Sequence, residues 1–163
     1  MIAPSPSPVG EGRGEVVFID DYAHHPEELK ALISGARSLF GEQKLVLVFQ
    51  PHLFTRTRDL ADGFAESLDL ADEVILLPIY PARELPIEGV SSEMIVDKMK
   101  LKRKQIMTRE EVLNSVKQLV SEDTNHGVGI VGQATSNGVV FITAGAGDID
   151  AMLPELKKKI EQK

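Results

Sequence analysis

The feature that most constrains the fold is a short strand pattern, Lys44 to Phe49, whose apolar residues are continuous and do not alternate with polar ones. This pattern is typical of a parallel strand that is covered on both faces. Val16 to Asp20, Glu73 to Leu77 and Val139 to Thr143 are similar strand patterns, and helical patterns lie between them. Alternating strands and helices indicate an α/β fold. We therefore predict a Rossmann-like domain, with a mostly parallel open sheet of about six strands and helices on both faces.

The helices have recognisable ends. Pro26 suits a first helical position, and Gly41 suits the residue after a helix, so we predict a helix over Glu27 to Phe40. Thr108 and Glu111 have the spacing of a capping box for a later helix that runs to Val120. The remaining predicted elements are helices at Asp59 to Leu70, Ser91 to Met99 (capped by Ser91 or Ser92) and Ile149 to about Ile160, a short strand at Gln105 to Met107, and a possible sixth strand within Ser121 to Gly138.

Composition excludes several classes of protein. A chain of 163 residues fits one domain, here residues 15–163, after a Pro-, Ser- and Gly-rich stretch at 1–14 that we expect to be a flexible lead-in or an interdomain linker. The chain has no cysteine, so disulfides and thiolate metal sites are excluded. A net charge of −7 argues against a nucleic-acid partner. No apolar run approaches the ~20 residues that span a membrane, and no signal peptide is visible, so we expect a cytoplasmic protein without a membrane partner.

A polar loop, Asp20-Asp21-Tyr22-Ala23-His24-His25-Pro26, follows the first strand. Ligands bind at the carboxyl ends of strands in open α/β sheets. The two aspartates are candidates to hold magnesium, to accept from a ribose hydroxyl or to cap the next helix, and only one of them can be the cap. The Tyr22 ring either meets a ligand or packs against the sheet edge. We expect one of the two histidines to be structural and the other to meet the ligand.

A second polar loop follows the next strand and contains His52, Arg56 and Arg58. Cationic donors near a helix N-terminus predict a site for phosphate or carboxylate, although Arg58 is better explained by pairing on the helix surface. For the turn Gly145-Ala146-Gly147-Asp148, we favour a structural role, in which Asp148 caps the last helix, over contact with a ligand. The phosphate-binding loop G-x-x-x-x-G-K-[ST] is absent, so this domain alone is not expected to hydrolyse or transfer nucleotide phosphate.

These loops, together with Tyr80-Pro81-Ala82-Arg83-Glu84, occur in an order that resembles the C-terminal domain of the Mur ligases. The resemblance covers about Gly14 to Ile160. The second loop and the Tyr80 motif are most similar to the members that join L-alanine to UDP-N-acetylmuramate. The sequence departs from the family at Leu53 and Phe54, where arginine and tyrosine are common, which leaves Arg56 as the main expected partner of the amino-acid carboxylate.

The resemblance implies a three-domain cytoplasmic enzyme that needs ATP and Mg²⁺, both held mostly by N-terminal and central domains of the same enzyme. It implies that Asp21 contacts the ATP ribose, and that Tyr22 and His25 line the nucleotide side of the cleft. By the same resemblance, His24, His52 and Arg56 are catalytic, and His52 and Arg56 receive the alanine and the developing charge. No residue is assigned as a metal ligand.

Two alternative functions remain open from the sequence. One is the related ligase that recycles murein peptides, against which the arginines of the second loop argue. The other is a stand-alone anion-binding or regulatory module without enzymatic partner domains. A phosphate-binding loop encoded upstream in the natural gene would favour the ligase over the stand-alone module.

Overall fold

The computed structural model describes residues 16–121 and 138–162. The strands are β1 (Val16–Asp21), β2 (Lys44–Phe49), β3 (Glu73–Leu76), β4 (Lys104–Ile106) and β5 (Val139–Ala144). The helices are α1 (Pro26–Phe40), α2 (Phe54–Leu68), α3 (Glu93–Val96), α4 (Arg109–Ser121) and α5 (Met152–Glu161), and a short 3-10 turn (Ile149–Ala151) leads into α5.

The described strands form one sheet in the order β1-β5-β2-β3-β4, and every pairing among them is parallel. The last strand lies between the first two: Phe141 pairs with Phe18 on one side and with Val46 on the other. The α/β fold with a parallel sheet is thus confirmed. The sheet has five described strands, and the possible sixth within Ser121 to Gly138 lies outside the described residues. Because the strands are parallel, their carboxyl ends share one edge.

Each face of the sheet is covered by helices. Leu29 and Ile33 of α1 and Phe64 of α2 pack on one face, and Val112 of α4 and Met152 of α5 pack on the other. All five of these side chains are fully or almost fully buried. Burying an aliphatic or aromatic side chain of this size contributes about 1.5–3 kcal/mol, so the two layers stabilise the sheet on both sides. This two-sided burial explains why β2 is apolar along its length.

The helix ends test the sequence prediction in detail. Gly41 has φ 56° and donates its N–H to the Arg37 carbonyl, as expected for a glycine that ends a helix. The capping box is confirmed, because the Glu111 N–H donates to the Thr108 hydroxyl (3.2 Å) and the Thr108 N–H donates to the Glu111 carboxylate (2.6 Å). The third helix is only four residues long, and Ser92 donates its hydroxyl to the Leu77 carbonyl and does not cap it.

The start of α2 differs most from the prediction. It begins at Phe54, five residues before the expected Asp59, and ends at Leu68. Arg56 and Arg58 therefore lie in the first turns of a helix and not in a loop. Within the described ranges, no helix combines the length and the apolar character needed to cross a membrane.

Candidate functional site at the carboxyl edge of the sheet

Three polar segments meet at the carboxyl edge, as the connectivity of the chain predicted. They lie at the carboxyl ends of β1 (residues 20–25), β2 (residues 50–56) and β5 (residues 145–148). Backbone hydrogen bonds tie them together: the Gly145 N–H donates to the Asp21 carbonyl (3.2 Å) and the Gln50 N–H donates to the Ala144 carbonyl (3.0 Å). The three segments form one continuous polar surface.

Neither aspartate of the first segment caps α1, so that alternative is excluded. Asp20 accepts a hydrogen bond from the buried Thr143 hydroxyl (2.6 Å), and Asp21 accepts one from the Ala23 N–H (2.8 Å). The cap is His25, whose Nδ1 accepts from the Glu27 N–H at 3.3 Å. The Asp21 carboxylate is partly exposed and has acceptor positions beyond the bond to Ala23, since a carboxylate accepts about four.

The two adjacent histidines have different surroundings. His25 is exposed and caps α1, whereas His24 is partly buried and lies with its ring centroid 6.4 Å from that of His52. The Nδ1 of His24 donates to the Tyr22 carbonyl (3.0 Å), so a neutral His24 has its lone pair on Nε2. The Tyr22 ring is 68% exposed and lies edge-on to His24 at 5.3 Å. Tyr22 therefore does not pack against the sheet edge, and its ring face is accessible to a ligand.

Arg56 and His52 form the centre of the site. The Arg56 guanidinium donates to Nδ1 of His52 at 3.2 Å. Arginine keeps its protons at any physiological pH, so the Nδ1 accepts and the proton of a neutral His52 lies on Nε2. Burial lowers the pKa of His52 from 6.5, and the charges of Arg56 and His24 lower it further, while Glu84 opposes them. His52 is consequently neutral near pH 7 and presents an N–H donor.

Tyr80 supports His52 from the loop after β3. The two rings stack with centroids 5.7 Å apart and planes inclined by 14°. The backbones are also paired, because Tyr80 donates to the Pro51 carbonyl (2.8 Å) and accepts from the Leu53 N–H (2.9 Å). Reasoning from the sequence did not place Tyr80 in the site, although the Tyr80 to Glu84 motif was the available signal.

Arg58 does not take part in the cluster. It is exposed, and its Nε donates to the Asp59 carboxylate at 2.8 Å, a bond that lowers the pKa of Asp59 and raises that of Arg58. The expectation that Arg58 pairs on the helix surface is confirmed. Of the two arginines in α2, Arg56 contacts His52 and Arg58 does not.

A cavity of about 240 Å³ lies next to Tyr80, between the loop after β3 and the start of α5. Asp148, predicted to cap the last helix, makes no such hydrogen bond, and that prediction was wrong. Its carboxylate accepts instead from the Gln50 amide (3.0 Å), which lies on the cavity wall. Gly147 is closely packed, because a Cβ there would lie 2.5 Å from the Gln50 Oε1 and 2.8 Å from the Tyr80 ring, which agrees with a structural role for this glycine.

No group of three or more histidine or carboxylate side chains in the described ranges is placed to hold a metal ion. The Arg56 guanidinium and the Nε2–H of His52 are donors that suit an anion or a hydrogen-bonding organic ligand.

A parallel α/β domain with histidine and arginine donors at the carboxyl edge of its sheet belongs to the class of ligand-binding α/β domains. Residues 8–147 match the family described as Mur ligase, glutamate ligase domain. This match includes most of the chain and all of the residues of the site as far as Gly147. The chain belongs to the Mur ligase family and corresponds to its C-terminal domain.

Individual proteins agree with this assignment. The chain is 45% identical over 148 residues to the UDP-N-acetylmuramate–L-alanine ligase of Flavobacterium johnsoniae, and the match covers 91% of this chain and 29% of that ligase. It is 26% identical to the crystal structure of the UDP-N-acetylmuramate–alanine ligase of Thermotoga maritima, with a TM-score of 0.57, covering 91% of this chain and 27% of that one. The chain thus spans less than a third of the length of each of these two ligases.

Two more distant structures share the fold. The murein peptide ligase of Psychrobacter arcticus has a TM-score of 0.65 at 15% identity, covering 95% of this chain and 29% of that one. The folylpolyglutamate synthase of Mycobacterium tuberculosis complexed with ADP has a TM-score of 0.59 at 15% identity, covering 90% and 30%. At these identities the likeness is one of fold alone.

Proposed function

We propose that this chain is the C-terminal domain of an ATP-dependent ligase that joins L-alanine to UDP-N-acetylmuramate in cytoplasmic peptidoglycan synthesis. The observation that carries the proposal is the 45% identity to an alanine-adding ligase over 91% of the chain. The contact of Arg56 with His52 supports it, because it places a planar guanidinium and a neutral imidazole side by side at the ligand-binding edge.

The site residues suit the chemistry of amide formation. The Arg56 guanidinium is matched to the carboxylate of an amino acid, which it binds with two parallel hydrogen bonds. The Nε2–H of neutral His52 is a donor for the negative charge that develops when the amine attacks an activated carbonyl. The Nε2 lone pair of His24 is an acceptor for the proton that the amine must lose. We assign these roles to His24, His52 and Arg56.

For the nucleotide, we propose Asp21, Tyr22 and His25. The exposed Tyr22 ring offers an aromatic face, and the remaining acceptor positions of Asp21 suit the hydroxyl donors of a ribose. ATP supplies the phosphoryl group that activates the muramate carboxylate. The described residues form no metal cage, so we assign Mg²⁺ to the ATP phosphates and to the rest of the enzyme. The N-terminal and central domains, as partners, would supply the UDP-sugar site and the phosphate-binding loop.

The experiment replaces the matching segment of the Flavobacterium johnsoniae ligase with this chain. We expect the fusion to release phosphate from ATP in the presence of UDP-N-acetylmuramate and L-alanine, and to form the amide product, which mass spectrometry detects. Omitting alanine should abolish the product. An intact, folded fusion that binds ATP but does not use alanine would contradict the proposal.

The same fusion separates the recycling ligase from the alanine-adding one. The murein peptide ligase structure shares the fold at 15% identity, so this alternative has less support than the alanine-adding ligase. The tripeptide L-alanyl-γ-D-glutamyl-diaminopimelate, after which a Haemophilus ducreyi ligase domain of the same fold is named, replaces alanine in the assay. We expect alanine to be strongly preferred, and a clear preference for the tripeptide would favour the recycling ligase.

A further inference from the structure

Helix α2, which carries Arg56, has no cap of its own. The residue before it, Leu53, has φ 71° and makes no side-chain capping bond. The first turn contains no acidic residue, and two cations, Arg56 and Arg58, lie near the positive end of the helix dipole. Cations at this end are unfavourable, and the first N–H groups of a helix need acceptors. Something outside the helix must therefore stabilise its beginning.

That external group is Glu84, which lies in the loop after β3. Its Oε2 accepts from the Thr55 N–H at 3.1 Å, and its Oε1 accepts from the Thr55 hydroxyl. The Thr55 hydroxyl is the main cause of the lowered pKa of Glu84, and the N–H groups of Thr55 and Phe54 and the charge of Arg58 act in the same direction. The carboxylate thus provides the acceptor and the negative charge that the start of α2 lacks.

The same loop also contacts His52. Tyr80, four residues before Glu84, stacks on the His52 ring and pairs with its backbone. The charged groups that face His52 are Arg56 from α2, His24 from the loop after β1 and Glu84 from the loop after β3, and of these only Glu84 raises the pKa of His52. One loop therefore supports the imidazole through Tyr80 and the beginning of the arginine-bearing helix through Glu84.

We propose that Glu84 is a positioning residue, whose carboxylate holds the first turn of α2 so that Arg56 stays beside His52 and faces the carboxylate of the amino-acid substrate. The identity of that substrate rests on the proposed function. The positioning of Arg56 and His52 rests only on the contacts within this chain, so the two ideas can fail separately.

The first test measures kinetics in the fusion enzyme. Glu84→Gln keeps an acceptor and loses the charge, and Glu84→Ala loses both. We expect the Michaelis constant for L-alanine to rise roughly fivefold in Glu84→Gln and further in Glu84→Ala, with that for ATP changed by less than about twofold. Glu84→Asp should recover part of the loss. The matched control is Glu111→Gln, which removes the capping carboxylate of α4 on the other face of the sheet and should leave both constants unchanged.

The second test needs no ligase activity. Histidine signals of this chain are titrated by NMR, and the His52 signal is assigned with a His52→Gln variant. Removing the charge of Glu84 should lower the pKa of His52 further, while Glu111→Gln should not move it. The proposal is overturned if Glu84→Gln leaves both the alanine constant and the His52 pKa unchanged, or if Glu111→Gln changes them equally. If the unmodified fusion uses no alanine, the proposed function fails, and the role of Glu84 is decided in the isolated chain by a double substitution. If Glu84 holds Arg56 beside His52, Arg56→Ala should raise the His52 pKa less in Glu84→Ala than in the unmodified chain, and an equal rise overturns the proposal.

Discussion

Two arginines on the same helix show that the position of a residue determines whether its side chain reaches the site. Arg56 and Arg58 are two residues apart in the first turns of α2. Arg56 is partly buried and donates to His52, whereas Arg58 is exposed and donates to its neighbour Asp59. Successive residues on a helix point in different directions, so the same side chain serves the site at one position and the solvent-exposed surface at the other.

Arg56→Ala should therefore weaken the use of alanine in the fusion enzyme. Losing one partner of a charge-assisted contact costs about 1.5–3 kcal/mol, which corresponds to a rise of roughly tenfold to over a hundredfold in the Michaelis constant for alanine. Arg56→Lys should recover only part of the loss, because an ammonium keeps the charge but not the planar fork. Steady-state kinetics with each substrate varied in turn measure the effect. Arg58→Ala is the matched control, and an equal effect of both substitutions would show that Arg56 acts through α2 and not through the substrate.

The lowered pKa of His52 predicts how stability depends on pH. An unfolded histidine titrates near 6.5, and His52 in the fold takes up its proton only at lower pH. As pH falls below about 6.5, the unfolded chain binds the proton first, so the free energy of unfolding should decrease until the lowered pKa is passed. Urea unfolding at several pH values tests this. The decrease should be smaller in His52→Gln, and parallel curves for the two proteins would assign the effect to another group.

Removing the charge of Arg56 should change the pKa of His52 in the direction opposite to removing the charge of Glu84. The charge of Arg56 lowers the pKa of His52, so Arg56→Ala should raise that pKa in the NMR titration. Arg58→Ala, whose partner is Asp59, should not. A His52 pKa that stays the same in Arg56→Ala would mean that burial and His24, without Arg56, account for the lowering.

At the scale of elements, the end of β5 depends on glycine. Gly145 has φ 150°, and a Cβ there would lie 2.9 Å from the Gln50 carbonyl oxygen and 3.3 Å from the Gln50 side chain. The first neighbour is backbone and cannot rotate away. The close approach of this turn to the segment after β2 is what joins two of the three polar segments of the site.

Gly145→Ala should therefore destabilise the domain by about 1–3 kcal/mol, through backbone strain and through the contact with Gln50. Gly35→Ala provides the comparison, because Gly35 is exposed within α1 and a Cβ added there would meet no atom within 4 Å. Alanine there should stabilise by about 0.5–1 kcal/mol, since it favours the helix. Urea unfolding measures both changes, and a neutral Gly145→Ala would show that the turn relaxes freely.

At the scale of the whole molecule, the chain corresponds to one domain of a family whose curated members are longer than this chain. It covers 29% of the Flavobacterium johnsoniae ligase. Its 163 residues contain the carboxyl-edge site but no phosphate-binding loop. In the proposed enzyme only one wall of the site belongs to this chain, so the isolated chain should bind its ligand weakly.

The isolated chain should accordingly neither hydrolyse ATP nor form the amide, and it should bind ATP weakly. Phosphate-release assays and titration calorimetry with Mg²⁺ and ATP test this, and the fusion enzyme is the positive control. Sustained ATP turnover or micromolar ATP binding by the isolated chain would contradict its assignment as a dependent domain.

The sequence by itself determined the class of fold and the edge that carries the site. Buried strands such as β2 and the capping box of Thr108 with Glu111 are local signals, and parallel connectivity then places the polar segments at one edge. The tertiary structure decided where α2 begins, because its capping carboxylate comes from Glu84, 29 residues away. It also decided that His24 lies beside His52 while His25 caps α1. The sequence could not distinguish the two adjacent histidines, because their roles depend on which groups the fold packs around each ring.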